Sequence, residues 1–409
     1  MRGVSIGIDI GTGSVTTAVV RKEKNGELRL LGVGKAASEG MRKGAVCDPE
    51  ALSRSIKKSA HNAYKASNVS VRSGVVAFGG SSVRSSLSRG VVAISRADGE
   101  ITGEDVKRSL QAAEALHPKS PNRETVHILP RQFWIDGEGN IQDPVGMVGM
   151  RLEVEALIID GEKRSLSNLV KAFDQAGIDI DDLIFSPIAA SLAVLTPEQK
   201  ELGVMLLDIG AGTSDYAIFR EGVMADAGII PVGGDLATQD IAQMFKTRVD
   251  VAEKIKQKYG HAIPDAFSKG DVIRLAEFID DETDVYSQRE LAEVIRARMA
   301  DIFELAEKSL RQNARSMSLP AGVIIVGGSS LLPGLREFAK KEMRLLVERG
   351  VVQGIRLDET LGGGATIATA LGAALKRLDQ PGGFAAAGSL RPVLKTWSLV
   401  KNWLKIFMP

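Results

Sequence analysis

The chain has 409 residues, 44% apolar and 25% charged, with 52 basic against 51 acidic side chains and a formal net charge of +1. These proportions fit a globular protein of two or three domain-sized units and give no global case for nucleic-acid binding or an acidic substrate. A single cysteine, Cys47, excludes an intrachain disulfide and fits a reducing cytoplasm, and His61, His117, His127 and His261 lack metal-ligand spacing.

From the N-terminus, an aspartate interrupts the first apolar run and no small-residue cleavage site follows, so no signal peptide is expected. Segment 6–20, IGIDIGTGSVTTAVV, reads as strand, turn and strand, with a turn rich in glycine and hydroxyls. Segment 50–66 has a helical pattern, with Leu52, Ile56, Ala60 and Ala63 on one face. Residues 84–160 read as an insertion of strands with a helix near 103–115, announced by Thr102 and Asp105 as an imperfect capping box. Segment 166–177 is amphipathic through Leu166, Leu169, Val170 and Phe173, with Gly177 as its stop, and 187–195 is an apolar helix opened by a proline.

Segment 205–219, MLLDIGAGTSDYAIF, repeats the design of 6–20. The repeat predicts a duplicated α/β fold with a cleft between the copies. Residues 228–300 read as a second, mostly helical insertion. Segment 289–311 is a charged helix with Leu291, Val294, Ile295, Ile302, Phe303 and Leu305 as its buried stripe, and 322–328 is a buried strand ending in Gly-Gly. Residues 379–392 are rich in Gly, Ala and Pro and read as a linker. No run of about 18 apolar residues is present to span a bilayer.

The turns carry the chemistry. A phosphate tail needs many donors at close range, and glycine lets backbone N–H groups reach into a turn. Gly11, Thr12, Gly13 and Ser14 form one cradle; Gly210, Ala211, Gly212 and Thr213 form the other. Carboxylates repel phosphate, so Asp9, Asp208 and Asp215 make sense as holders of magnesium through its waters. One such hairpin alone reads as a tight turn; two at matched places point to a nucleotide. Gly327-Gly328-Ser329 follows a buried strand and precedes a helix start, where a helix N-terminus meets a ligand. No G-x-x-x-x-G-K-[ST] is present, and the first turn does not complete G-x-G-x-x-G.

Residues 394–407 place Leu394, Trp397, Val400, Trp403, Leu404 and Phe407 on one helical face and Lys395, Ser398, Lys401, Asn402 and Lys405 on the other. Such a helix is about 21 Å long, too short to span a bilayer but suited to lying among lipid headgroups. Docking on the body would also bury Trp and Leu; the linker and the lysines favour lipid.

In this order the turns resemble the ATPase superfamily of actin, heat-shock chaperones and sugar kinases. SRGVVAI (88–94), EITGEDV (100–106), DPVGMVGMRLEVE (143–155), SPIAASLAVLT (186–196), IIPVGGD (229–235) and LPAGVIIVGGSSLLPG (319–334) are similar to the bacterial cell-division FtsA family, over roughly residues 3–335. The resemblance implies a duplicated actin-like, ribonuclease-H-like ATPase fold. Subdomain 1A would comprise 1–83 and 161–202, 1C 84–160, 2A 203–227 and 301–378, and 2B 228–300, followed by the linker at 379–392 and a membrane-targeting helix at 393–409. It implies ATP with magnesium, the phosphates at Asp9–Ser14 and Asp208–Thr213, and the nucleotide's edge at Gly233, Gly234 and Asp235. Glu253 and Lys256 would flank adenosine beside Gly327, Gly328 and Ser329; alone, that pair reads as an exposed helical ion pair.

Chaperones carry a water-positioning carboxylate where Ser186 stands, so binding with slow or no hydrolysis is expected. The family's roles imply a peripheral protein on the cytoplasmic face of the membrane at the septum. It would polymerise head to tail, tether the FtsZ ring and help recruit later division proteins. The FtsZ C-terminal tail would meet 2B, with Arg289, Arg296 and Arg298 as contacts; each arginine singly reads equally as a solvated helix face. A pilus or secretion scaffold and a sugar or acetate kinase are the rival readings.

Overall fold

The structure, a computed structural model, describes residues 3–118, 120–313, 318–357 and 364–378. The expected linker and amphipathic helix, with Leu394, Trp397, Val400, Trp403, Leu404 and Phe407, lie outside the described residues.

The first half opens with strands β1 (Val4–Ile10), β2 (Ser14–Lys22) and β3 (Leu28–Ala37) and a short hairpin, β4 (Met41–Arg42) and β5 (Ala45–Val46). Helix α1 (Pro49–Ser67) follows. Asp48 caps it by accepting from the N–H groups of Glu50 and Ala51, Pro49 takes the first turn, and left-handed Asn68 ends it. After β6 (Ser73–Phe78) the chain leaves for the insertion: β7 (Val83–Ala93), α2 (Gly103–Leu116), β8 (Arg123–Ile135), β9 (Glu138–Ile141) and β10 (Arg151–Glu162). Asp105 closes one half of the capping box, accepting from both the Thr102 N–H (2.9 Å) and its hydroxyl (2.6 Å). The chain returns through α3 (Lys163–Ala176), which Gly177 ends at φ 71, then β11 (Asp179–Phe185), α4 (Ser186–Val194) and α5 (Pro197–Leu202).

The second half comprises β12 (Val204–Ile209), β13 (Ser214–Arg220), β14 (Val223–Ile230), α6 (Gly234–Met244), α7 (Val249–Tyr259), β15 (Val272–Arg274), β16 (Val285–Ser287), α8 (Gln288–Asn313), β17 (Val323–Val326), α9 (Leu335–Met343) and β18 (Val347–Arg349). Strand β19 (Ile355–Arg356) and helix α10 (Ala368–Leu378) finish the described chain.

The two main sheets run β11-β6-β1-β2-β3-β19 and β14-β13-β12-β17-β18. In each, the central strand pairs antiparallel with its hairpin partner and parallel with the strand on its other side. Five strands therefore repeat one order and one set of directions, as the paired turns predict. Helices α4 and α10 pack together, α10 against β1, β2 and β6 and α4 against β12 and β13. Their approach is close: a Cβ on Gly372 would stand 1.7 Å from the Ala189 carbonyl.

One expected segment divides. Residues 301–378 read as part of the second half, and through β18 they stay with its sheet. Beyond it, Ile355 pairs with Leu28, and Ile355, Ile367, Leu371 and Ala374 join the core of the first lobe. An apolar helical face shows that a segment is buried, not which sheet buries it. Helix α8 also runs unbroken past residue 300, burying Leu291, Ile295, Ile302 and Phe303, with Val294 and Leu305 half-buried.

The insertion forms its own sheet, β7-β10-β8-β9, over a core that includes Leu110, Phe133, Leu152 and Val154. It is threaded into the first half yet touches the second. Ser85 Oγ donates to the Ala227 carbonyl on β14, and Gln142 Nε2 donates to the Glu221 carbonyl at 2.7 Å.

Candidate functional site: a cavity between two matched turns

The turns close alike. In the first, Asp9 faces Thr16 and Ile10 faces Val15, and the Gly11 N–H donates to the Ser14 carbonyl at 3.1 Å. In the second, Asp208 faces Asp215 and Ile209 faces Ser214, and the Gly210 N–H donates to the Thr213 carbonyl at 3.0 Å. None of the four turn glycines takes a positive φ. Their use is space: a Cβ on Gly13 would stand 2.8 Å from Ala211 Cβ, and one on Gly212 would stand 2.7 Å from Thr12 Oγ1. The turns thus meet across the gap between the sheets.

They line a cavity of about 790 Å³. It gathers Asp9, Gly11, Thr12, Gly13, Ser14 and Ser186 from one side, and Asp208, Gly210, Ala211, Gly212, Thr213 and Asp215 from the other. Gly234, Asp235, Glu253, Lys256, Gly327, Gly328 and Ser329 complete the expected set. Gly233 alone of that set is not in the lining; it caps α6 from behind. The Gly234 and Asp235 N–H groups donate to the carbonyls of Gly210 (3.0 Å) and Ala211 (2.8 Å), so this loop braces the second turn. Glu253 and Lys256 are more than an exposed pair. Lys256 Nζ lies 2.7 Å from Glu253 and donates to Thr238 Oγ1 (2.7 Å) and the Gly234 carbonyl (3.1 Å), joining α7 to the start of α6. Burial raises the Asp235 pKa against the pull of Lys256.

Three carboxylates stand together, Asp215 buried and Asp9 and Asp208 half-buried. Burial, then Asp208 and Asp215, push Asp9 up to about 8 against the attraction of Lys35. Burial and Asp208 push Asp215 to about 7, against the Thr213 hydroxyl and the Gly80 N–H. Burial pushes Asp208 only to about 6, because the Thr369 hydroxyl donates to it at 3.0 Å. Asp215 Oδ1 is buried without a hydrogen-bond partner. Desolvated carboxylates facing one another favour a cation between them. Among the described residues no three His, Cys, Asp or Glu side chains stand close enough to hold an ion directly. The fit is to a hydrated cation bound through its waters, as magnesium is.

Ser186 is buried at the start of α4, beside Asp215; a Cβ on Gly79 would reach both side chains. The carboxylate at this corner therefore comes from β13 rather than from α4.

The lining also holds Lys35, Gly44, Gly79, Gly80, Ala365, Thr366 and Thr369, which the motif reading missed. Gly79-Gly80 carried a signal: SGVVAF-GG repeats the strand-then-Gly-Gly of VIIV-GG at 323–328. Lys35 and Thr369 carried none, since one sits in an ordinary strand and the other in an apolar helix.

The three arginines of α8 separate. Arg296 lines a second cavity of about 520 Å³ with Pro264, Asp265, Glu293 and Lys341. Arg289 sits on the same helical face, 3.2 Å from Asp265 and 3.4 Å from Glu293. Arg298 points round the helix to Asp240 and Asp301, so its charge is matched within the fold.

The chain is similar to known proteins. The family model "Cell division protein FtsA" matches residues 205–372, and "SHS2 domain inserted in FTSA" matches residues 80–160, the insertion. Cell division protein FtsA of Bacillus subtilis (strain 168) is 34% identical over 336 residues, 82% of this chain and 76% of that protein. A chain of the PilM-PilN type IV pilus biogenesis complex superposes with a TM-score of 0.67 at 18% identity, covering 92% of this chain and 99% of that one. MreB 5 of Spiroplasma citri bound to AMPPNP superposes with a TM-score of 0.50 at 13% identity, covering 93% and 96%. At such identities the structural likeness speaks for the fold alone, which is the duplicated actin-like ATPase fold.

Proposed function

This chain belongs to the FtsA family of cell-division proteins, and we propose that it is an ATP-dependent, polymer-forming tether between the FtsZ ring and the cytoplasmic membrane. The observation that carries the nucleotide part is the meeting of the two turns over three clustered carboxylates, one of them buried with an unpartnered oxygen. Gly11–Ser14 and Gly210–Thr213 would cradle the phosphates. Asp9, Asp208 and Asp215 would hold the waters of magnesium, which supplies charge neutralisation to the phosphates when bound. Glu253, Lys256, the braced loop Gly233–Asp235 and Gly327–Ser329 would take the adenosine. That MreB 5, of the same fold, binds AMPPNP supports the choice of nucleotide.

Ser186 is a weak organiser of an attacking water. ATP therefore acts chiefly to hold the lobes together across the turns, and hydrolysis is slow. Equilibrium titration with a fluorescent ATP analogue tests the reading: magnesium-dependent binding is expected, and no binding at millimolar nucleotide would overturn it. Single-turnover phosphate release tests the second point, and rapid release would refute slow hydrolysis.

Among the described residues no helix is long and apolar enough to cross a membrane. Attachment would come from Leu394, Trp397, Val400, Trp403, Leu404 and Phe407 lying in the lipid interface, giving a peripheral protein at the septum. One such helix binds reversibly, and a polymer multiplies the attachments. Deleting 394–409 should move the protein from liposome pellets to the supernatant; a variant that still pelleted would remove the anchor. For the acidic, apolar FtsZ tail, the face of α8 at Arg296 is the better platform, since Arg289, like Arg298, already meets two carboxylates. Arg296→Ala should weaken binding of that peptide, and Arg298→Ala should leave it nearly unchanged. Recruitment of later division proteins follows from the same septal placement.

A further inference from the structure

We propose that Lys35 distinguishes ATP from ADP, meeting the terminal phosphate from the first lobe. The inference rests on the nucleotide reading above and assigns to that site a residue the turns do not contain.

A polyphosphate entering this cavity ends among carboxylates, which repel it. Two cationic side chains occur among the described residues of the lining, Lys35 and Lys256. Lys256 is already engaged by Glu253, Thr238 and the Gly234 carbonyl on the second lobe. Lys35 stands on the other side. It faces Thr16 in the β2–β3 register, is exposed, and attracts Asp9. Strand alternation puts Lys35 and Ala37 on the cavity face and Gly34 on the α1 face, where a Cβ would stand 2.0 Å from the Ser59 carbonyl. The end of β3 is tied to the first turn, because the Ser38 N–H donates to the Gly13 carbonyl at 3.2 Å. Lys35 is thus held beside the turn that cradles phosphate.

In the pose proposed above, Glu253, Lys256 and Gly327–Ser329 take the adenosine, and the phosphates run along the two turns toward Asp9 and Asp215, all of them lining the same cavity. ADP stops one phosphate short, so Lys35 gains a strong partner only from ATP. A lysine suits this task because its ammonium is a compact charge on a flexible stem and does not require bidentate geometry.

The test is equilibrium titration of the full chain with ATP and with ADP, in magnesium, at low and high salt. Lys35→Met keeps the stem and removes the charge. It should bind ATP at least about tenfold more weakly, the size expected for one hydrogen bond to a charged group. ADP affinity should change by less than about threefold, and this retained binding also reports an intact cavity. Lys35→Arg should keep the preference for ATP. High salt should shrink the difference between wild type and Lys35→Met, because an exposed charge is screened. Equal losses for both nucleotides, or no loss for ATP, would overturn the assignment while leaving the nucleotide site standing. Should Lys35→Met fail to fold, Lys35→Gln answers the same question. A wild-type chain that bound neither nucleotide would instead sink the underlying reading.

Discussion

Measured back from Asp9 and Asp208, the two central strands occupy the same places in their sheets but carry different residues. Ser5 and Gly7 of β1 stand where Val204 and Leu206 of β12 stand. In β12 both side chains are fully buried in the apolar layer beneath the sheet. In β1 the backbone itself meets α10: Ser5 Oγ donates to the Ala374 carbonyl at 2.7 Å, and a Cβ on Gly7 would stand 2.0 Å from the Ala370 carbonyl. One strand pattern therefore supports two kinds of packing, and side-chain size decides which sheet receives α10 at backbone contact.

The largest effect should come from erasing this difference. Gly7→Leu copies the second half onto the first and drives into α10. Overpacking of this kind costs about 3 kcal/mol or more, so thermal melting should fall by roughly 4 °C or more. A variant that melted like wild type would show that α10 does not depend on the bare strand. Next comes the symmetry of the turns. Gly13→Val and Gly212→Val each put a branched side chain where the turns touch, and ATP affinity should fall by roughly 10- to 100-fold in either case. If only one substitution mattered, the turns would not be equivalent wedges.

The paired aspartates sharpen the comparison through pH. A buried carboxyl whose folded pKa exceeds its unfolded value favours folding in its protonated form, so that contribution is lost as pH rises through the folded value. For Asp9 the window runs from the ordinary 3.8 to about 8, and for Asp208 from 3.8 to about 6. Nucleotide-free protein in chelator should melt lower at pH 8 than at pH 5. Asp9→Asn should flatten that slope more than Asp208→Asn, and equal slopes would mean the two carboxyls share one environment. The smallest effect isolates the cause of the asymmetry. Thr369→Val removes the hydroxyl that Asp208 accepts, costs about 1 kcal/mol, and should move the Asp208 titration, followed by carboxyl NMR, upward toward that of Asp9.

The paired hairpins, the insertion and most of the cavity lining were legible because each is written in contiguous residues. A glycine-rich turn between apolar strands is a local pattern with a local cause. Lys35, Thr369 and the destinations of β19 and α10 were not, because each depends on what lies across the fold. Lys35 is an exposed strand lysine until Asp9 comes near it. Thr369 is a helix interior hydroxyl until Asp208 accepts from it. Arg298 shows the same limit from the other side: its position on α8 suggested a free charge, and Asp240, far away in the chain, supplies its partner.

The pairing of β19 with β3, and the bed that Ser5 and Gly7 make for α10, bear on how this chain can be dissected. A cut near Gly203 would separate the two sheets in sequence but strand α10 on the wrong fragment. The N-terminal piece would expose bare backbone on β1, and the C-terminal piece would carry an apolar helix with no surface to cover. Two such fragments should be insoluble apart and recover only on co-expression. The duplicated halves are therefore interlocked like a clasp, not joined like beads, and the clasp closes only when the polypeptide has been made through α10.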